Sequence, residues 1–355
     1  MIESLEIQNF RGFEQLKLKD LRRINLVVGP NASGKTAFLE GLFLASGVSP
    51  ELALRTKGWR GLTGFGIAPQ RAVYEELWRD LFYQFDQKRQ IVISFQGSPL
   101  DTRSLEISYS PAKQEVLIPV PPSTGVANGS PIIPIVFEWT DSAGKKSVAS
   151  PLVVSGGLSI KPEGEAAMMP SAFYSSANII PASENATYLS NFSIKNAAEP
   201  IIKSLRAEFP FIKEIRSEAR PSGSLVYVAV EHLEEKIPVN LLSSGITKLL
   251  SLLLGIANQP GGVIYIDEIE NGFYYDRLQS IWRLLLEFCT NYNVQLFATT
   301  HSKECLEAAA DCAKENEDAF CLLRTTRANG KSVVRQFTGK AFHSAIKLGG
   351  EIRSV

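Results

Sequence analysis

The sequence predicts an α/β fold, and three stretches carry that prediction. Residues 23–28 read as an apolar strand that runs through a glycine-bracketed turn into a helix over 37–44. Residues 262–266 form a second apolar strand that ends in Asp267 and Glu268. Residues 294–300 form a third, ending in His301 and Ser302. Buried strands that each finish on polar groups suit an α/β core whose sheet is mostly parallel and collects ligands at the carboxyl ends of its strands.

The turn after the first strand reads Gly29-Pro30-Asn31-Ala32-Ser33-Gly34-Lys35-Thr36, a complete phosphate-binding loop. Placed at a helix N-terminus, its backbone N–H groups and the helix dipole favour anions. Gly29 and Gly34 permit close approach of the backbone, Lys35 reaches the β- and γ-phosphates, and the Thr36 hydroxyl is the expected Mg²⁺ ligand. These residues point to a nucleoside triphosphate as the ligand.

The two acids that close the second strand fit the same chemistry, with Asp267 on the metal side and Glu268 as general base toward the attacking water. His301, at the end of the third strand, can hydrogen-bond the γ-phosphate or that water. Ser243, Ser244 and Gly245 precede the apolar helical run 246–254 and make a second anion-binding helix start.

Composition narrows the classes. At 355 residues the chain can bury a large core, as two or three domains or one discontinuous one. Lys plus Arg and Asp plus Glu are both 37, so no overall basic field draws the protein to nucleic acid. The polar opening Met1-Ile2-Glu3-Ser4 does not resemble a signal peptide, and the densest apolar run, 249–256, is too short to cross a bilayer. A soluble, cytoplasmic protein with no membrane partner is expected. Cys289, Cys305, Cys312 and Cys321 lack metal-site spacing and read as reduced core thiols.

In chain order, residues 2–10 and 15–19 alternate as an antiparallel hairpin, and 72–85 has helical spacing. Period-two runs follow at 90–95, 105–109, 116–120, 132–139 and 146–154, forming an antiparallel β region. Residues 173–175 suggest another strand, 185–209 a helical lobe and 224–230 a strand leading back to the core. The domain reading is one discontinuous unit over 1–355: 1–88 with the phosphate loop, 89–170 as the β region, 171–222 as the helical lobe and 223–355 with the remaining motifs.

The phosphate loop, Leu242-Ser243-Ser244-Gly245, Val263-Ile264-Tyr265-Ile266-Asp267-Glu268 and Thr299-Thr300-His301-Ser302, in that order, resemble the P-loop ABC-type ATPase head. The opening Ile7-Gln8-Asn9-Phe10-Arg11-Gly12-Phe13 is similar to RecF-, SMC- and OLD-type ATPases. Asp267-Glu268-Ile269-Glu270-Asn271-Gly272 and residues 348–353 resemble OLD-like stand-alone ATPases, many of them linked to bacterial phage defence. The resemblance implies a homodimer or larger assembly with composite ATP sites, in which Ser243, Ser244 and Gly245 meet the γ-phosphate held by the partner copy's Lys35. It also implies that Arg11 touches nucleotide and that 270–272 make dimer contacts. One departure stands out: where such heads carry a glutamine after the β region, this chain reads Tyr174-Ser175-Ser176-Ala177-Asn178.

The function expected is an ATP-hydrolysing switch whose dimerisation controls a separately encoded effector in anti-phage defence, since the acids of the middle region (Asp101, Glu106, Glu115, Glu138 and Asp141) show no nuclease-like spacing. The alternatives are the nucleotide-binding subunit of a transporter and a RecF-like head that clamps DNA.

Overall fold

A computed structural model of the chain describes residues 1–62, 71–97, 102–109, 116–117, 131–154, 157–176, 181–221 and 223–347. Its contacts divide it into two units: Met1–Arg22, Val27–Ser171 and Leu323–Gln336 in the first, and Arg23–Leu26, Ala172–Leu322 and Phe337–Val355 in the second.

The first unit is built on a seven-stranded sheet. Its order is Glu163–Gly164, Lys146–Ala149, Ile135–Thr140, Arg103–Tyr109, Ile91–Gly97, Ile2–Phe10 and Phe13–Leu18, and every pairing is antiparallel. The alternation read in the sequence fixes the register, because a one-residue slip would turn the apolar set to solvent. Leu16, Ile7, Ile93, Leu105 and Trp139 stand opposite one another in a single buried row across five strands. Each such side chain stabilises the fold by about 1.5–3 kcal/mol. Helix Lys35–Ser46 lies on this face: Trp139 Nε1 donates to Leu44 O at 3.1 Å, and a side chain at Gly41 would press on the Phe10 ring.

Several elements differ from expectation. Helix Arg71–Arg79 stops well short of residue 85, because Arg11 N–H donates to Leu81 O and Phe82 bridges to Phe10, which pulls the chain into extended form. The single strand expected at 146–154 breaks into Lys146–Ala149 and Leu152–Val154 at Pro151, which has no N–H to give a ladder. The Pro151 carbonyl accepts from the buried Tyr74 hydroxyl instead. Of the strand expected at 116–120, Val116–Leu117 is present and the rest lies outside the described residues.

In the second unit, strands Ser171–Tyr174, Val263–Ile266, Gln295–Thr299, Ile24–Val28 and Phe320–Ala328 are hydrogen-bonded in that order, the unit holding the opening residues of the last two. Val263–Ile266 and Gln295–Thr299 pair in parallel and are buried throughout, as their continuous apolar sequences require. Phe173, Tyr265 and Phe297 stack along one row, with centroids 6.2 and 6.0 Å apart. Helices Ser244–Asn258, Leu278–Asn291 and Lys303–Ala313 cover this core. The lobe comprises Ala182–Ile194 and Glu199–Glu208, and Asn185 Nδ2 ties it to Ser251 Oγ at 2.7 Å. Strand Gly223–Val230 pairs with Ile212–Arg220, a strand not foreseen because its charged residues hide any alternation.

All four cysteines are buried and none forms a disulfide. Burial pushes the Cys289 and Cys305 thiols up to about 12, so both stay neutral. Among the described residues no helix is long and apolar enough to cross a membrane.

Candidate nucleotide site

The phosphate loop joins the last residue of a fully buried strand to helix Lys35–Ser46 in the first unit. Three residues adopt left-handed backbone, Gly29 (φ 148°), Ala32 (φ 60°) and Gly34 (φ 107°), which curls the chain so that successive N–H groups face one concavity. Gly34 caps the helix without a side-chain acceptor. Lys35 Nζ donates to the carbonyls of Gly29 at 2.8 Å and Pro30 at 3.0 Å, which keeps its buried ammonium inside the loop. Pro30, Asn31 and Ala32 form the exposed crest.

The loop is backed by a hairpin in the same unit, whose strand Phe320–Ala328 turns through Asn329 and Gly330 into Lys331–Thr338. Thr325 Oγ1 donates to Val28 O at 3.0 Å and therefore accepts from Ser33 Oγ at 2.5 Å. A side chain at Gly29 would run into the Thr325 carbonyl, and one at Gly34 would lie 2.7 Å from Ser332 Oγ. Here glycine is demanded twice over, by backbone angle and by space. Neither Thr325 nor Ser332 carries a motif, and only the fold brings them to the loop.

The acids, the histidine and the second helix start form a separate constellation in the second unit. Thr299 Oγ1 accepts the Glu268 N–H at 2.8 Å and donates to Asp267 Oδ1 at 2.6 Å, so one buried hydroxyl sets both acids. Ser176 Oγ donates to Asp267 Oδ2 at 3.4 Å, which places a serine of the glutamine-less stretch on the metal-side carboxylate; Asn178 lies outside the described residues. Glu268 has φ 52°, a left-handed conformation that costs a non-glycine residue about 1–3 kcal/mol and concentrates at functional sites. Its Oε2 accepts from Asn271 Nδ2 at 2.7 Å, and its Oε1 lies 3.8 Å from His301 Nε2. Asp267 is 7% exposed, whereas Glu268 and His301 are open enough to meet solvent or substrate.

Ser243 caps helix Ser244–Asn258 with extended backbone and without a side-chain bond. Gly245 packs so closely on the Gly272 carbonyl that no side chain fits. This draws the helix start against the loop after the acids, a relationship the sequence did not disclose. That loop also accepts from Lys248, which sequence reasoning missed; its signal was a single charge in an apolar helix.

Arg11, expected at the nucleotide, is engaged by carboxylates. It pairs with Glu40 on the first helix and lies 3.8 Å from Asp80, while Arg60 grips Glu40 through two bonds of 2.9 and 2.8 Å and Lys57 meets Asp80 at 2.6 Å. Burial pulls the Arg11 guanidinium down from its ordinary value, opposed by Glu40. A buried carboxylate at position 40 requires such neutralisation.

A helix start with no side-chain cap, three left-handed residues and an inward lysine fits a polyphosphate. Two acids and hydroxyls at a strand end fit a hard divalent cation.

Residues 1–107 match the family described as AAA ATPase domain, and residues 165–307 match the AAA domain family described as putative AbiEii toxin, Type IV TA system. The ATP/GTP phosphatase of Helicobacter pylori is 23% identical over 354 residues, covering 91% of this chain and 92% of that protein. The DNA replication and repair protein RecF of Alkaliphilus oremlandii is 41% identical over 46 residues, 13% of each chain. Among solved structures, an SMC head bound to the C-winged helix domain of ScpA superposes with a TM-score of 0.53 at 11% identity, over 95% of this chain and 98% of that one. At that identity the likeness establishes the fold. The phosphate loop, the acid-tipped strand, the two family matches and the fold likeness together support an AAA-type P-loop ATPase with an ABC/RecF/SMC-like head.

Proposed function

We propose that this ATPase is a nucleotide-driven switch in which ATP held by Gly29–Thr36 of one copy is capped by Ser243, Ser244 and Gly245 of a second. The observation that carries the reading is the helix start at Ser243: its hydroxyls make no cap, and close packing on Gly272 holds it in place. Burying a triphosphate needs donors on both sides, and a single open loop leaves one side to water.

In the reaction, the loop N–H groups and Lys35 bind the phosphates. Thr36 and Asp267 are the residues that would hold magnesium, whose charge would offset that developing on the phosphate oxygens. Glu268 takes the proton from water as its oxygen attacks the γ-phosphorus, the bond to the ADP oxygen breaks, and His301 orients the transferred group. Ser176 supports Asp267 in the role a glutamine would otherwise fill. The activity named for the Helicobacter pylori relative, ATP/GTP phosphatase, supports this chemistry and leaves GTP as a possible second substrate.

Closure and opening of the pair would be passed to a separate effector in the cytoplasm. The toxin–antitoxin description of the matched family supports a defence setting, and the ScpA-bound SMC head supports partner docking on a head of this fold. Sedimentation of the Glu268→Gln protein tests the central step: with Mg-ATP it sediments as a dimer, and with ADP as a monomer. Turnover per chain that is independent of dilution, from a particle that remains monomeric, sinks the reading. The RecF similarity supports a second reading, a head that clamps duplex DNA, which an ATP-dependent, salt-sensitive DNA shift would favour.

A further inference from the structure

Helix Ser244–Asn258 carries one charged side chain, Lys248, among apolar and hydroxyl residues. An apolar residue there would fill the same space without the penalty of desolvating an ammonium, so the charge needs a reason. Its partners supply one. Lys248 Nζ donates to three backbone carbonyls of one loop, Glu268 at 3.0 Å, Ile269 at 3.1 Å and Asn271 at 2.9 Å, and sits 5.4 Å from the Phe273 ring centroid.

That loop closes two turns of its own, with Asn271 N–H donating to Glu268 O at 3.1 Å and Phe273 N–H to Glu270 O at 3.0 Å, and it holds Glu268 and Gly272 in left-handed backbone. On its other side, Glu270 Oε1 accepts the N–H groups of His301 at 2.7 Å and Ser302 at 3.1 Å. The loop is thus strapped to the signature-bearing helix by Lys248 and to the histidine strand end by Glu270.

We propose that Lys248 is a positioning residue for Glu268, coupling the helix that begins at Ser243–Gly245 to the carboxylate that activates water. Engagement of the helix start shifts its first turns, the ammonium carries the Glu268 carbonyl with it, and the carboxylate comes into line. Lys248 lies one turn along from Gly245 and grips the backbone, not the carboxylate, so it acts through Glu268 and never on substrate. The inference rests on the reading of Glu268 as general base.

Three variants of the full chain test it: Lys248→Met, Lys248→Arg and Glu268→Gln, each assayed for kcat, KM and binding of a non-hydrolysable Mg-ATP analogue. A misplaced base lowers kcat by about 10- to 100-fold. Lys248→Met should show that loss with KM and analogue binding within about threefold of wild type, and Lys248→Arg should recover most of it. If Lys248→Met does not fold, Lys248→Gln, which is one atom shorter and has no ammonium to bridge the three carbonyls, takes its place with the same expectation. A wild-type kcat in the methionine variant, or equal loss of binding and turnover in the methionine and arginine variants, overturns the proposal. Wild-type turnover in Glu268→Gln would instead remove the base assignment, whereas an inactive Glu268→Gln beside a fully active Lys248→Met removes only the positioning role.

Discussion

Thr299 Oγ1 lies 2.6 Å from Asp267 Oδ1 and is itself buried, so the carboxylate is held by a hydroxyl that has no water to compete with it. Thr299→Val keeps the shape and deletes this donor, leaving the carboxylate and the Glu268 N–H with one partner fewer. A loss of about 1–3 kcal/mol in unfolding free energy is expected, together with slower turnover. Denaturant melts and steady-state assays on the same preparation measure both, and an unchanged melt would show that the bond contributes nothing.

Lys35→Ala removes the ammonium that now bonds Gly29 and Pro30 and would meet phosphate. Charge-assisted bonds of this kind contribute about 1.5–3 kcal/mol each, so ATP affinity should fall at least about 10-fold and most plainly by calorimetry. Retained affinity would remove the loop from the binding site.

Glu268→Gln preserves size and the Asn271 contact but cannot take a proton. Turnover should drop by about 10²- to 10⁴-fold with ATP binding intact, read by single-turnover kinetics. Equal loss of binding would point to a structural carboxylate instead.

Gly245→Ala sets a methyl group against the Gly272 carbonyl. The helix start and the loop must separate, at a cost of about 1–3 kcal/mol. Thermal melts should show the destabilisation, while Gly330→Ala, at a turn with nothing within 4 Å, serves as a control for backbone angle without crowding.

Burial pushes the Lys248 ammonium down to about 8, against the pull of the Glu270, Glu268 and Asp267 carboxylates. The Cys305 thiol facing it stays neutral, being pushed up to about 12. A base with a lowered folded value penalises folding while charged: the penalty is complete below pH 8, shrinks as pH rises, and is gone above the ordinary lysine value near about 10.4. The grip on the three carbonyls weakens over that same window. Turnover should therefore fall as pH rises through 8, while stability relative to Lys248→Arg rises. A turnover profile that is flat to pH 9, or identical in the arginine variant, would contradict this.

What the sequence disclosed and what it concealed divide along chemical lines. The phosphate loop, the acid-tipped strand and Ser243–Gly245 are local, each needing a handful of adjacent residues whose types follow from phosphate or metal chemistry. Thr325, Ser332 and Lys248 act through single polar atoms at distances in sequence that no periodicity reports. Strand Ile212–Arg220 escaped because Lys236 and Glu214 pair across its surface, so charge stands where an apolar alternation would mark a strand. Arg11 sat in a suggestive motif, yet its nearest carboxylates come from Glu40 and Asp80, which only folding assembles. The helix expected to reach residue 85 failed for a similar reason, since the pull of Phe10 on Phe82 is tertiary.

The Ser33–Thr325 bond spans 292 positions of chain. A ribosome adding about 5–20 residues per second makes the phosphate loop roughly 15–60 s before the hairpin that backs it. Throughout that interval the nascent polypeptide owns the motif but lacks its wall, so nucleotide competence arrives late in synthesis. Messages cut short before codon 325 would then yield fragments whose loop lacks this wall.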